Sequence, residues 1–131
     1  MIEKDCLIQS ITPLLKQKSF KKKGNTWTLN LQETIIVFNI QISQFDSSNY
    51  YINVGSILKI IEEPKSITIS SCHIWQRMNV EFDNAEQLVK MIDIWISWYG
   101  SNRAVYNNII SNHMPKTTQG IVYKYLSDFK E

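Results

Sequence analysis

Apolar and polar residues alternate along residues 34–55, and this alternation predicts two β-strands. From Ile36 to Ile42 every second residue is apolar, and the polar residues Asn39, Gln41 and Ser43 occupy positions between and after them. Successive side chains of a strand point to opposite faces, so the alternation is typical of a half-buried strand. Turn-forming residues at 46–49 separate the two strands. The pattern predicts an antiparallel hairpin made of residues 34–44 and 50–58.

The polar positions of this hairpin are predicted to share one face of the sheet. We expect Gln44 to lie opposite Tyr50, and the same register pairs Gln41 with Asn53. The polar face then carries Asn39, Gln41, Ser43, Tyr51 and Asn53. The opposite face carries the residues expected to be buried, which are Phe38, Ile40, Ile42, Ile52 and Val54.

Two interpretations of the polar face are open. Antiparallel sheets commonly have one solvated face, which explains each polar residue taken singly. Such faces are usually rich in Lys, Glu and Thr, however, whereas this row consists of amides and hydroxyls that both donate and accept hydrogen bonds. As a set, the row is a candidate binding surface.

The remaining patterns place helices on both sides of the strands in the chain. Residues 3–18 have apolar residues at helical spacing, and Pro13 predicts either a kink or the start of a second helix. Residues 26–30 predict a further strand, and residues 67–78 a fourth. On that fourth strand His73, Trp75 and Arg77 are expected to share one face.

The C-terminal part of the chain changes to a helical period. A helix is predicted to start with a capping box formed by Asp83 and Glu86 and to end at Gly100. Shorter helices are predicted for residues 102–112 and 118–129. The layout predicts an α+β fold with an N-terminal helix, an antiparallel sheet of about four strands, and C-terminal helices packed on the sheet.

Length and composition fit a single α+β domain formed by residues 1–131. The chain is 44% hydrophobic and 20% charged, as globular proteins commonly are. Its net charge of +2 is too small to imply a nucleic-acid partner by itself. The sequence shows no leader and no membrane-length apolar segment, and its two cysteines form no redox motif. We therefore expect a cytoplasmic protein with reduced thiols and no membrane association.

The sequence contains no recognisable catalytic, metal-binding or cofactor-binding motif. Cys72 and His73 are neighbours on a predicted strand, so they point to opposite faces and cannot pair as nucleophile and base. There is no G-x-S-x-G motif and no glycine-rich phosphate loop. His73 and His113 are the only histidines, and no carboxylates cluster near them in sequence. We predict no catalytic residue, no metal and no cofactor.

His73 and Arg77 are the residues with the clearest chemical potential. They are predicted to lie about 13 Å apart on one strand face. One hypothesis gives His73 an acid–base role and Arg77 an anion-holding role toward a polar small molecule. The alternative is a histidine satisfied by a backbone carbonyl and an arginine paired with a surface carboxylate.

Five lysines form the densest charge cluster of the chain: Lys16, Lys18, Lys21, Lys22 and Lys23. Such a run can be a nucleic-acid footprint. It also suits a solvated helix end, where the helix dipole favours cations. Trp27 is the single aromatic residue close by, so no stacking platform for single strands is evident. We do not expect nucleic acid as the partner.

Four segments resemble, in order and spacing, a bacterial family called domain of unknown function 4304: F-K-K-K-G-N-T-W, F-N-I-Q-I-S-Q-F, Y-Y-I-N-V-G and C-H-I-W-Q-R. The resemblance covers roughly the first 80 residues. Family members typically have a basic residue after the Gln of the second segment, where this chain has Ile42. The recurrent polar positions of the family correspond here to Asn39, Gln41, Ser43, Asn53, His73 and Arg77. The resemblance implies no particular reaction.

Two functions from different classes remain as expectations. The first is a small bacterial binding protein, for example an immunity protein that neutralises a toxin domain through the polar sheet face. The second is an enzyme or small-molecule-binding protein that uses a site of His, Arg and amide groups. An enzyme needs these groups inside a concave pocket, whereas a protein-binding surface can be flat. The oligomeric state is left open by the sequence.

Overall fold

The computed structural model of the protein describes residues 2–43, 49–78, 82–110 and 117–126. Predicted features at residues 44, 46–48, 111–113 and 127–129 lie outside these ranges. The elements, in chain order, are α1 (Lys4–Gln17), β1 (Lys21–Lys23), β2 (Thr26–Asn30), β3 (Thr34–Ile42), β4 (Tyr50–Leu58), a 3₁₀ helix (Ile69–Ser71), β5 (Ile74–Met78), α2 (Ala85–Tyr99), α3 (Asn102–Ile110), β6 (Thr117–Thr118) and α4 (Ile121–Leu126).

The strands form one antiparallel sheet of six strands whose spatial order, β1 to β6, follows the chain. The α+β prediction is confirmed, with an N-terminal helix, a sheet and C-terminal helices. The count of about four strands omitted β1 and β6. Both are edge strands, and with three and two residues they are too short to show an alternating pattern. Gly24, with a φ of +59°, provides the left-handed residue of the tight β1–β2 turn.

The register of the central hairpin differs from the predicted one by two residues. Asn39 lies opposite Asn53, and Gln41 lies opposite Tyr51 rather than opposite Asn53. Ile42, not Gln44, lies opposite Tyr50. Because side chains alternate with a period of two, this shift leaves every side chain on its predicted face. The alternation therefore predicted the faces correctly and the pairing wrongly.

Helices α1 and α2 pack on the sheet face that carries Phe38 and Ile40. Both side chains are buried, at 0% and 1% exposure, but Ile42 is 42% exposed at the end of β3, so its predicted burial is wrong. Helix α1 runs through Pro13 as one element, and no second helix starts there. The α2 N-cap is formed by Asn84, which accepts from the Gln87 N–H, one residue later than the predicted Asp83 box.

Two buried hydroxyls connect this face of the sheet to the end of α2. The Thr34 hydroxyl donates to the Gly100 carbonyl at 2.8 Å, and the Ser56 hydroxyl donates to the Tyr99 carbonyl at 2.8 Å. Ser56 also accepts from the Trp95 Nε1–H at 2.9 Å. The last carbonyls of a helix lack intrahelical donors, so these bonds both satisfy the helix end and fix it on the sheet.

The other face of the sheet is only partly covered. Residues 67–72 pack over it and contribute to a second, smaller apolar cluster, which contains Ile35, Val37, Ile57 and Cys72 with Ile67, Ile69 and Trp75 at its margin. The predicted strand over 67–78 is correct only from Ile74 onward. Its first part is a 3₁₀ turn, because the hydroxyls of Thr68, Ser70 and Ser71 bond locally and compete with strand pairing.

Candidate functional site

Three amides and one guanidinium form a continuous hydrogen-bonded group on the partly covered face. We call it the polar network and define it as Asn39, Gln41, Asn53 and Arg77. Three neighbouring strands position it: β3 supplies two amides, β4 the third, and β5 the arginine. Asn39, Asn53 and Arg77 lie directly opposite one another across these strands. Directly opposed residues share a face, so the register itself brings the three side chains together.

The hydrogen bonds of the polar network all run in one direction. Arg77 donates from Nε to Asn53 Oδ1 at 3.2 Å and from Nη2 to Gln41 Oε1 at 3.1 Å. Asn53 Nδ2 donates to Asn39 Oδ1 and to Gln41 Oε1, both at 3.2 Å. Asn39 Nδ2 in turn donates to Thr26 Oγ1 on β2 at 3.2 Å. Successive donation of this kind polarises each bond in the series and favours a single arrangement of the amides.

Exposure divides the network into a buried centre and an accessible rim. Asn53 is 1% exposed, whereas Gln41 is exposed and Arg77 half-buried. The Arg77 Cζ lies 4.2 Å from the ring centroid of Tyr51, which is 38% exposed, so the guanidinium also stacks on an aromatic face. Within the described part of the chain, Gln41 Nε2 and Arg77 Nη1 make no hydrogen bond. The rim therefore offers N–H donors to an incoming acceptor.

Ser43 and His73 belonged to the predicted site, but the structure places them outside the polar network. Ser43 is buried at the end of β3, where its N–H donates to the Asn49 carbonyl. His73 is 4% exposed, and its Nδ1 accepts the Leu58 N–H at 3.0 Å. The alternative in which a backbone group satisfies His73 is therefore close to the observed geometry. The partner is a backbone N–H rather than the expected carbonyl.

The surroundings of His73 keep its imidazole neutral. Burial lowers its pKa, and the negative charge of Glu62 opposes that effect. Arg77, the other half of the predicted pair, bonds to amides rather than to the surface carboxylate considered from sequence. The two residues do not meet in one site.

Sequence reasoning missed the contribution of Thr26, which accepts from Asn39 and extends the polar network onto β2. The signal was present, because Thr26 alternates with the buried Trp27. Sequence reasoning also missed that residues 65–68 and strand β1, which are distant in sequence, line the same cavity. No local pattern could indicate that proximity.

Other candidate chemistry is sparse in the described ranges. No group of three or more His, Cys, Asp or Glu residues there is arranged to hold a metal ion. Burial raises the pKa of the Cys72 thiol to about 12, so it is protonated at neutral pH. Cys6 is exposed on α1. None of the helices described has both the length and the apolar character required to cross a bilayer.

Comparison with known protein families identifies a match. The model of a family described as "Domain of unknown function (DUF4304)" matches residues 11–114. That span runs from α1 into the region after α3 and includes the whole polar network. No curated protein and no solved structure is significantly similar to the chain.

Proposed function

The chain belongs to the domain of unknown function 4304 family, and we propose that it is a cytoplasmic bacterial binding protein whose partner is another protein. The observation that carries this proposal is the polar network, with its accessible donors on an open sheet face. A buried centre that fixes an exposed rim is how recognition surfaces limit the entropy lost on binding.

The chemistry of the rim suits a protein surface. Tyr and Arg are enriched at protein interfaces, since each combines a large contact area with polar groups. Here the Arg77 guanidinium lies on the Tyr51 ring, so both side chains are held before a partner arrives. The free donors of Gln41 and Arg77 would pair with carbonyl or carboxylate oxygens, which every protein surface provides.

Within this proposal we favour an immunity role, in which the partner is a toxin domain. Such a protein acts by covering its target, so it needs a rigid, polar surface and no catalytic group of its own. The alternative of an enzyme with His73 as acid–base group is less well supported, because His73 is buried and Leu58 occupies its Nδ1.

Capture of partners from a lysate of the native host tests the proposal. Immobilised wild-type protein should retain a specific protein, and the double variant Gln41→Ala/Arg77→Ala should lose it while still unfolding in one cooperative transition. Gln76→Ala is the matched control, because Gln76 is exposed on β5 beside Arg77 but points to the other face. Undiminished capture by a well-folded double variant would reject the polar network as the binding surface.

A second assay tests the immunity role by itself. If the product of a neighbouring gene inhibits growth, co-expression of wild-type protein should restore growth and co-expression of the double variant should not. If the wild-type protein and the double variant both restored growth, the polar network would not be required for immunity.

A further inference from the structure

A basic groove of about 590 Å³ lies on the same sheet face as the polar network, between strands β1 and β2 and the segment that precedes the 3₁₀ helix. We define the basic groove by its lining residues: Lys21, Lys22, Lys23, Thr26, Thr28, Lys65, Ser66, Ile67 and Thr68. Thr26 belongs to both features, since it lines the groove and accepts from Asn39 of the polar network.

The three lysines of β1 point alternately to the two faces of the sheet. Lys21 lies opposite Thr28, and Lys23 lies opposite Thr26, so these four side chains share one face. Lys22 also borders the groove, but the alternation turns its side chain to the other face, where its Nζ lies 5.5 Å from the centroid of the Trp27 ring. A run of three lysines thus delivers two ammonium groups to the basic groove and one to an aromatic contact.

A third ammonium group comes from the opposite wall of the groove. Lys65 is separated from β1 by more than forty residues in the chain but lines the same cavity. The two ion pairs found among the described residues, Lys4 with Asp5 and Lys18 with Asp93, involve none of the groove lysines. No Asp or Glu lines the groove within the described ranges. Like charges brought together without a counter-charge raise the local potential and attract anions.

The second wall is held in place before any ligand binds. Ser71 donates from its hydroxyl to the Ser66 carbonyl at 2.9 Å and accepts from the Thr68 N–H at 3.3 Å. Ile67 packs at the margin of the second apolar cluster. The wall therefore has little conformational freedom to lose on binding, which favours affinity.

Protection of an exposed sheet edge explains part of this charge. Lysines on edge strands discourage pairing with the edges of other molecules, and β1 is an edge strand. That role does not account for Lys65, which lies outside the sheet. It also does not account for the hydroxyls of Thr26, Thr28 and Ser66, which supply hydrogen-bond donors between the ammonium groups.

We propose that the basic groove binds a small molecule that carries a diphosphate or triphosphate group. Its volume falls in the range of small-molecule sites, about 300–1,000 Å³. Three ammonium groups match the charge of two or three phosphates, and hydroxyl donors match their oxygens. Among the described residues no aromatic side chain lines the groove, so this part of the chain supplies no stacking platform of the kind typical of sites for single-stranded nucleic acid. This site goes beyond the proposed protein-binding function and does not depend on it.

Titration calorimetry with inorganic triphosphate and with ATP tests the proposal. Wild-type protein should bind both, because the phosphates carry the recognition, and the triple variant Lys21→Gln/Lys23→Gln/Lys65→Gln should bind each at least about tenfold more weakly. The matched control removes three lysines that do not line the groove: Lys4, Lys90 and Lys124. Because the net charge changes equally, the control separates a site from general attraction and should keep wild-type affinity.

Further measurements make the outcome decisive. Amide resonances of Thr26, Thr28 and Ser66 should shift on addition of triphosphate, and the Gln41→Ala/Arg77→Ala variant should still bind it. Absence of binding by the wild-type protein, or an equal loss in both triple variants, would overturn the proposal. Tighter binding of a single-stranded oligonucleotide or of polyglutamate than of triphosphate would also overturn it, in favour of a polymeric partner.

Discussion

Polar side chains occur on both faces of this sheet, but their surroundings give them different roles. On the helix-covered face, Thr34 and Ser56 are both 0% exposed and donate to the final carbonyls of α2 and its cap. On the other face, Gln41 and Arg77 bond to each other and keep further donors accessible. What covers a strand position, rather than its polarity, determines whether a polar group serves stability or recognition.

The difference has an energetic basis. A buried group that loses its partner cannot be rehydrated, so the full desolvation cost appears in the free energy of unfolding. An exposed group that loses its partner is solvated by water, and the net cost is small. Substitutions on the two faces should therefore separate by size of effect.

The largest effect is expected for Ser56→Ala. The change leaves the Trp95 Nε1–H and the Tyr99 carbonyl without this partner, which costs about 1–3 kcal/mol for each buried group left unsatisfied. Ser10→Ala, at an exposed position of α1, is the control and should change stability by less than about 0.5 kcal/mol. Urea denaturation measures both, and similar values for the two variants would contradict the comparison.

Substitution of His73 should lower stability as expected for a buried polar group. His73 should also make the free energy of unfolding depend on pH. Its pKa is lowered in the folded protein, mainly by burial, so the folded state disfavours the proton that the unfolded chain binds below about pH 6.5. The contribution of neutral His73 to the free energy of unfolding is therefore complete above about pH 6.5. It is lost as the pH falls toward the lowered pKa of His73 in the folded state.

The free energy of unfolding should therefore decrease from about pH 7.5 to about pH 5.5. His73→Gln removes the titrating group and should flatten that dependence relative to the wild-type protein. It should also destabilise at neutral pH by about 1–3 kcal/mol if the new side chain fails to accept the Leu58 N–H. An identical pH profile for the two proteins would show that His73 does not titrate between the states.

An intermediate effect is expected for Asn53→Ala. Asn53 is the buried centre of the polar network, but Gln41, one of its partners, reaches solvent and can bond to water after the change. The expected loss is about 1 kcal/mol. Thermal midpoints of Asn53→Ala and Ser56→Ala test which variant loses more stability. A larger loss of stability for Asn53→Ala would show that the polar network mainly stabilises the fold.

The smallest effect is expected for Gln41→Ala. Its side chain is exposed, so the free energy of unfolding should change by no more than about 0.5 kcal/mol. Differential scanning calorimetry measures the change. A loss above about 1 kcal/mol would show that this amide holds the sheet together, and loss of partner capture could then no longer be attributed to recognition.

The alternation of residues 34–55 predicted the faces of β3 and β4 because burial acts on every second residue of a strand. It could not predict the register, since sequence parity is unchanged when one strand slides by two residues. The predicted Gln41–Asn53 pair became a diagonal contact, and Asn39 took the opposite position. The amides still met, because side chains of this length reach diagonal neighbours.

His73 illustrates a different kind of error. Counting by twos from Arg77 placed it on the same face, but β5 starts only at Ile74, so the count was extended beyond the strand. Local hydroxyl bonds around Thr68 turn the chain before that point. The approach of Lys65 to β1 depends on where this turn directs the chain and was invisible in the sequence.

Gly55 lies where the open and covered parts of the face meet. Because it has no side chain, Cys72 can pack against it, and the labelling rate of Cys72 then measures how often the covering segment opens. A Cβ at this position would lie 2.6 Å from Cys72 Sγ, so only glycine lets that thiol pack flat on the sheet. An alkylating reagent can reach Cys72 only when residues 67–72 lift away, whereas Cys6 is exposed in the folded protein. The ratio of the two labelling rates therefore reports how often this segment opens. Because the same segment forms one wall of the basic groove, a bound ligand should slow the labelling of Cys72 alone.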